Sequence, residues 1–186
     1  MRIIAGRHRG RKLAAPAGSA TTRPTAERMR QALFDMLWHA PWAGRAALEG
    51  QAVLDAFAGT GALGLEALSR GAASASFMEQ DRVALAVLRA NIAACREEAA
   101  ATLLATDATR PPRAPAACGL VFLDPPYGKE LVPRALAALA AAGWIAPGAL
   151  VCAETGREEE TALPGFEILA QREHGAARVR VLRAPG

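Results

Sequence analysis

Several residue types are scarce in this chain of 186 residues, and each scarcity closes off a class of protein. The three cysteines, Cys95, Cys118 and Cys152, lie far apart with no C-x-x-C pairing. Each sits in an apolar segment, so buried, reduced thiols are expected. His8, His39 and His174 offer no metal-ligand spacing and no obvious nucleophile, so no metal is expected. Long apolar runs are missing as well. The longest weakly polar stretch, Ala135 to Ala146, is alanine-rich, broken by Gly143 and shorter than the ~20 residues a membrane helix needs. The basic N-terminus lacks the apolar core of a secretory signal, and Ser19 is the single serine before position 20, which fits a transit peptide poorly. A cytoplasmic, monomeric protein without a membrane partner is expected.

What is present points to one compact unit. Apolar residues make up 52% and charged residues 22%, which excludes a wholly disordered or coiled-coil chain. The net charge of +4 is small but segregated. Residues 1–30 hold eight basic side chains (Arg2, Arg7, Arg9, Arg11, Lys12, Arg23, Arg28 and Arg30) against Glu27 alone, a balance of +7 that leaves −3 for the remainder. Such an arm suits a polyanion, although a solvated basic face has the same composition.

Along the chain, Arg2–Ala5 and Arg11–Ala14 flank a basic Gly6-to-Gly10 turn and read as a small hairpin, followed by a loop from Pro16 to Thr22. Pro24 and Thr25 open a helix, with Thr25 as its cap, and Met29, Leu33, Met36 and Leu37 recur at helical spacing until Pro41. Then strand, turn and helix alternate. Strands are expected at Ala52–Phe57, Ser74–Glu79, Thr102–Thr106, Gly119–Leu123 and Ala149–Ala153. Helices are expected at Leu63–Arg70, through Leu85, Leu88, Ile92 and Cys95, and at Leu131–Ala142. Phe166–Gln171 and Arg178–Leu182 around Gly175 form a terminal antiparallel hairpin. The fold class is α/β, a doubly wound, mostly parallel sheet of seven strands.

Val53 to Gly64 contains G-x-G-x-x-G between a strand and a helix. Alone, that pattern suggests a nicotinamide dinucleotide. Asp55 argues otherwise, because a carboxylate four residues before Gly59 repels a pyrophosphate and attracts an ammonium or sulfonium group. S-adenosylmethionine carries both cations and no phosphate. Glu79 ends the next strand, where an acid can accept both ribose hydroxyls. Asp107 ends the third and can accept from an adenine amine with Ala108 beside it, or serve simply as a turn residue.

The apolar run Leu120–Leu123 delivers Asp124-Pro125-Pro126-Tyr127 at a strand end. The prolines remove backbone donors and stiffen the chain, so Asp124 and the Pro125 carbonyl present acceptors and Tyr127, the only tyrosine, presents a ring face. Two acceptors gripping an exocyclic amine return electron density to its nitrogen, which prepares it to attack a sulfonium methyl. A stiff turn capping a core strand is the plainer alternative.

Val53–Gly64 together with Asp124–Tyr127 resembles the amino-group methyltransferases that use S-adenosylmethionine. Arg2-Ile3-Ile4-Ala5-Gly6 with Arg9-Gly10-Arg11-Lys12-Leu13, and Arg23-Pro24-Thr25 followed by Arg28, Arg30 and Ala32-Leu33-Phe34, look like the bacterial small-subunit (16S) ribosomal RNA guanine-N2 methyltransferase family. Gly61 to Arg70 and Gly143-Trp144 extend the similarity over nearly the whole chain. The resemblance implies a Rossmann-like class I methyltransferase that transfers methyl to guanine N2 in small-subunit ribosomal RNA and releases S-adenosylhomocysteine. It also implies a basic extension over residues 1–45 and a catalytic domain over 46–186. Asp124, Pro125, Pro126 and Tyr127 then act at the base, and Asp55, Phe57, Gly59, Gly61, Glu79, Asp107 and Ala108 bind cofactor. Arg7, Arg9, Arg11, Lys12, Arg23, Arg28 and Arg30 meet RNA. His8 stands where relatives often place an aromatic residue, so it either stacks on a base, contacts phosphate or is an ordinary exposed loop residue; the tail around Glu173-His174-Gly175 departs from the family pattern. A DNA adenine-N6 methyltransferase and a non-catalytic RNA-binding assembly factor are the alternatives.

Overall fold

The computed structural model describes residues 1–16, 24–159 and 163–186, with the side chains of 24–26 excluded. The expected loop at 17–22, Arg23 and the capping side chain of Thr25 fall outside those residues. Helices and strands run in the order α1 (Pro24–His39), β1 (Ala52–Asp55), α2 (Ala62–Ser69), β2 (Ser74–Glu79), α3 (Arg82–Cys95), β3 (Ala101–Ala105), β4 (Cys118–Leu123), α4 (Leu131–Ala141), β5 (Ile145–Gly156), β6 (Glu167–His174) and β7 (Ala177–Arg183). Among the described residues the sheet has seven strands in the order β3-β2-β1-β4-β5-β7-β6. The first five pair in parallel, whereas β7 runs antiparallel to both β5 and β6. The expected doubly wound sheet and terminal hairpin are therefore present, with β7 inserted between β5 and β6.

Side-chain alternation explains why these strands are apolar throughout. Val53, Leu120, Phe122, Leu150, Cys152 and Val181 face one layer, together with α1, α2 and α3. Leu54, Val121, Leu123, Val151, Ala153 and Leu182 face the other, against α4 and Trp144. All three cysteines are buried and free, and burial pushes the Cys118 thiol up to about 11. On α1, Leu33, Phe34 and Leu37 enter the first layer, a contribution of roughly 1.5–3 kcal/mol each. Phe34 meets Phe122 with ring centroids 5.5 Å apart.

The N-terminal hairpin is narrower than expected. Its pairing reduces to the Arg2–Lys12 bridge and a few backbone bonds, including Ile3 N–H to Arg11 O at 2.9 Å. It is held by the body instead. Ile3 and Leu13 belong to the same apolar layer as Val53 and Phe77. Glu66 of α2, fully buried, accepts from the amides of Ile4 at 2.8 Å and Ala5 at 3.0 Å. The Ser69 hydroxyl donates to Ala5 O and accepts from His8 N–H. A Cβ on Gly6 would stand 1.8 Å from Ser69 O, so only glycine permits this approach.

Candidate active site

Five strand ends build the site. At the end of β1, Asp55 is 1% exposed, and its Oδ2 accepts from the Gly64 amide at 2.9 Å. The carboxylate thus satisfies a free donor in the first turn of α2, which has no side-chain cap of its own. Its Oδ1 is buried without a partner among the described residues. Burial, reinforced by Glu79, raises the Asp55 carboxyl to about 7, with the Gly64 amide opposing.

The glycine loop divides its labour. Gly59 has φ +52 with open space where a Cβ would be, so it leaves room for a ligand. Gly61 has φ +79, and a Cβ there would lie 2.3 Å from Leu88 Cδ1; at Gly64 it would lie 2.3 Å from Phe77 Cε1. Gly61 and Gly64 therefore serve packing of the loop on α3 and β2. Gly61, expected to bind cofactor, lines neither of the two cavities described next.

A cavity of about 540 Å³ is lined by Phe57, Gly59, Glu79, Asp107, Ala108 and the Asp124–Tyr127 segment. Glu79 is fixed by backbone donors: Oε2 accepts from Gly59 N–H at 2.9 Å, and Oε1 from the amides of Gln80 and Asp81. Asp107 Oδ1 accepts from both the amide and the hydroxyl of Thr109. That turn, with burial opposing and Arg110 helping, holds its carboxyl below the usual range. Asp107 is thus a turn residue and a cavity wall at once.

A second cavity, of about 330 Å³, adjoins the first through Phe57, Gly59 and Asp124 and adds Asp55, Glu154 and Arg30. The Asp124 carboxylate makes no hydrogen bond or ion pair among the described residues. Solvent reaches it along the cleft. Desolvation by the cleft walls, Glu154 and Asp55 all drive its carboxyl upward. Tyr127 is 44% exposed, and its hydroxyl donates to Glu154 Oε1.

The basic residues separate into two groups. Arg9, Arg11, Lys12 and Arg28 are exposed, with no side-chain hydrogen bond or ion pair among the described residues. Arg7 pairs with Glu97 through Nε at 2.8 Å and Nη2 at 2.7 Å while staying half exposed. Arg30, expected to meet RNA, is placed differently from these. It is 6% exposed, donates to Arg2 O at 2.6 Å and lies 3.8 Å from Glu66, because α1 turns this side chain inward beneath the arm. His8 is neither stacked in the open nor loose: its Nε2 lies 2.5 Å from Glu97 Oε1, with the side chain 15% exposed. The hairpin tip is also displaced from the cleft. Arg7 N–H bonds Ser69 O at the far end of α2, about 12 Å along that eight-residue helix from the glycine loop.

Comparison with known proteins follows the same geometry. The family described as Conserved hypothetical protein 95 matches residues 1–183. The chain belongs to this family. It is 33% identical to Ribosomal RNA small subunit methyltransferase D of Haemophilus influenzae, over 97% of this chain and 92% of that one. With the Escherichia coli K12 protein of the same name it shares 40% over 88% and 78% of the two chains. The solved structure of yhhF from Escherichia coli superposes with a TM-score of 0.83 at 32% identity, covering 100% of this chain and 98% of that one. The family fold is the Rossmann-like fold of class I methyltransferases, and the strand order found here is its sheet. Among the described residues no helix is long and apolar enough to cross a membrane.

Sequence reasoning missed Glu154, Glu66, Ser69, Asn91 and Glu97. Glu154 had a signal. It follows the apolar run of the fifth strand on the same edge as Asp55, Glu79, Asp107 and Asp124, and the rule that located those acids applies to it equally. Glu97, within Arg96-Glu97-Glu98, looks like any solvated charge run.

Proposed function

We propose that the chain transfers the methyl group of S-adenosylmethionine to the exocyclic N2 of a guanine in small-subunit ribosomal RNA. One observation carries the reading: Asp55 Oδ1, buried without a donor, and the unpaired Asp124 carboxylate open on one connected cleft. A buried acceptor left unpaired costs about 1–3 kcal/mol, a cost that a cationic, donor-rich ligand removes.

The residues present fit that cofactor. Glu79, held rigid by three backbone amides, offers its remaining lone pairs to ribose hydroxyls. Asp107 and Ala108 flank the place for adenine in the same cavity. Phe57 and Gly59 lie where both cavities meet, and Asp55 receives the ammonium end. When bound, the cofactor supplies an electrophilic methyl carbon on a sulfonium.

The chain's own residues then do three things. Asp124 accepts a hydrogen from the guanine amine, and with the Pro125 carbonyl it restores electron density to nitrogen. Pro125 and Pro126 contribute no backbone donors that would compete for these acceptors. Tyr127 offers its ring to the base, offsetting part of the roughly few kcal/mol needed to unstack it. The raised affinity of Asp124 for protons suits it to take the proton released once the amine is methylated.

Residues 1–45 act as the RNA-binding extension and 46–186 as the catalytic domain, with Arg9, Arg11, Lys12 and Arg28 free to meet phosphates and Arg23 beside them in sequence. The relatives named for small-subunit ribosomal RNA favour this substrate over DNA adenine. The test is labelled methyl transfer to small-subunit particles and to protein-free RNA, followed by nucleoside analysis. N2-methylguanosine is the expected product; N6-methyladenosine, or no transfer with cofactor bound, overturns the proposal.

A further inference from the structure

The smaller cavity holds one carboxylate that the mechanism leaves unused. Glu154 stands near the end of β5, and because Ala153 pairs with Leu123 it sits level with Asp124 on the neighbouring strand. Adjacent strands are about 4.8 Å apart. The two carboxylates therefore lie side by side along one wall. Glu154 Oε1 accepts from the Tyr127 hydroxyl, while Oε2 has no donor among the described residues. Among the described residues, the charged and titratable groups around this pair are Asp55 from β1, Cys152 from β5, Tyr127 from the turn after β4, Arg30 from α1 and the Met1 terminus. Arg30 is already committed to Arg2 O and Glu66, so it does not neutralise the pair.

Two neighbouring acceptors call for two neighbouring donors. In guanine the amine N2 is flanked by the ring N1–H, so the edge presents N–H groups in sequence. In adenine the ring nitrogens beside the amine are bare acceptors, and a carboxylate repels them. If Asp124 takes the amine, the carboxylate one strand away meets the next position on that edge. Tyr127 binds the other oxygen of Glu154 and so fixes the orientation of its free one.

We propose that Glu154 accepts the N1–H of the target guanine and thereby selects guanine over adenine, an inference that rests on the guanine-N2 reading above. Glu154 is then a specificity residue that touches substrate, and Tyr127 positions it.

The experiment uses the RNA segment in which nucleoside analysis has located the methyl group, ligated with either guanine or 2-aminopurine at that one position. 2-Aminopurine keeps the amine but has a bare N1. The wild-type enzyme should prefer guanine in kcat/KM by about tenfold or more, as expected for one lost base-edge contact. Glu154→Gln, whose amide can donate to a bare N1, should lose activity on guanine and narrow or invert the preference. Tyr127→Phe, which frees Glu154 to reorient, should lower turnover and weaken the preference less than Glu154→Gln does. A wild-type ratio below about threefold overturns the proposal whatever the variants do, and so does an equal loss on both RNAs in Glu154→Gln, which is what a residue that only holds Tyr127 would give. A wild-type enzyme inactive on the guanine RNA itself overturns the guanine-N2 reading, a result separate from either ratio.

Discussion

Replacing Glu66 with alanine should release the N-terminal arm and cost a large part of the stability. The side chain is fully buried, and its two oxygens serve the amides of Ile4 and Ala5 and the Arg70 guanidinium at 2.8 Å. Arg30 Nε, already without a hydrogen bond, relies on the same carboxylate 3.8 Å away, and burial pulls that guanidinium below its ordinary range against Glu66 and Glu27. Alanine leaves two backbone amides with no acceptor and takes the buried carboxylate from two cations, with Arg2 O remaining for Arg30 and Asp35, 3.9 Å away, for Arg70. Breaking a buried pair from one side costs about 3–5 kcal/mol, out of a total near 5–15. At roughly 2–4 °C per kcal/mol for a chain of this size, the melting temperature should fall by about 6–20 °C. Glu66→Gln should do little better, because its amide NH₂ would face other donors. Calorimetric melting, with limited proteolysis between residues 1 and 16, reads both effects. A shift under about 2 °C, or an arm as protected as in the wild type, would refute the clamp.

Asp124→Ala should lower turnover by about 10²–10³-fold while calorimetry finds cofactor binding largely kept; loss of binding would contradict its place at the base. Gly64→Ala should destabilise the fold by about 1–3 kcal/mol through its clash with Phe77, whereas Gly59→Ala, with open space around it, should harm cofactor affinity more than melting temperature. Alanine at Arg9, Arg11, Lys12 and Arg28 should weaken RNA binding and flatten its salt dependence by about one in slope per lost phosphate contact, while Arg30→Ala should act through thermal stability instead. The Asp55 carboxyl, raised to about 7 in the fold from 3.8, binds its proton more tightly folded than unfolded, so its contribution is fully present below pH 3.8 and lost as pH rises through 7. The melting temperature of Asp55→Asn, measured relative to wild type, should accordingly rise as pH goes from 5 to 8, because only the wild type loses that contribution; a difference independent of pH would refute the assignment.

The strand-and-helix plan was legible because hydrophobic periodicity is local, and strands buried on both faces read as continuous apolar runs. Boundaries moved by a residue or two in most elements. The larger miss was β5, which extends from Ile145 to Gly156 instead of Ala149 to Ala153, because backbone pairing to β4 and β7 continues past the apolar segment. The inward turn of Arg30 was not legible, for a different reason. Composition reports charge but not direction, and nothing in Arg28-Met29-Arg30 distinguishes the arginine that faces water from the one that α1 turns toward Glu66. Glycines were located correctly, yet their reasons differed: Gly61 and Gly64 yield to neighbouring side chains, and only Gly59 borders the cavities.

Asn91 is 1% exposed on α3, and one side-chain amide ties three backbone groups. Its oxygen accepts from Ala14 N–H at 2.8 Å, and its nitrogen donates to Ala14 O at 3.1 Å and Thr60 O at 2.9 Å. The returning limb of the hairpin and the loop before α2 therefore hang on the same hinge pin. A pull on residue 14 cannot be absorbed locally, since either Thr60 follows or a secluded amide loses its partners. Thr60 follows Gly59, which borders both cavities, so the extension and the cavity floor are joined through one buried amide.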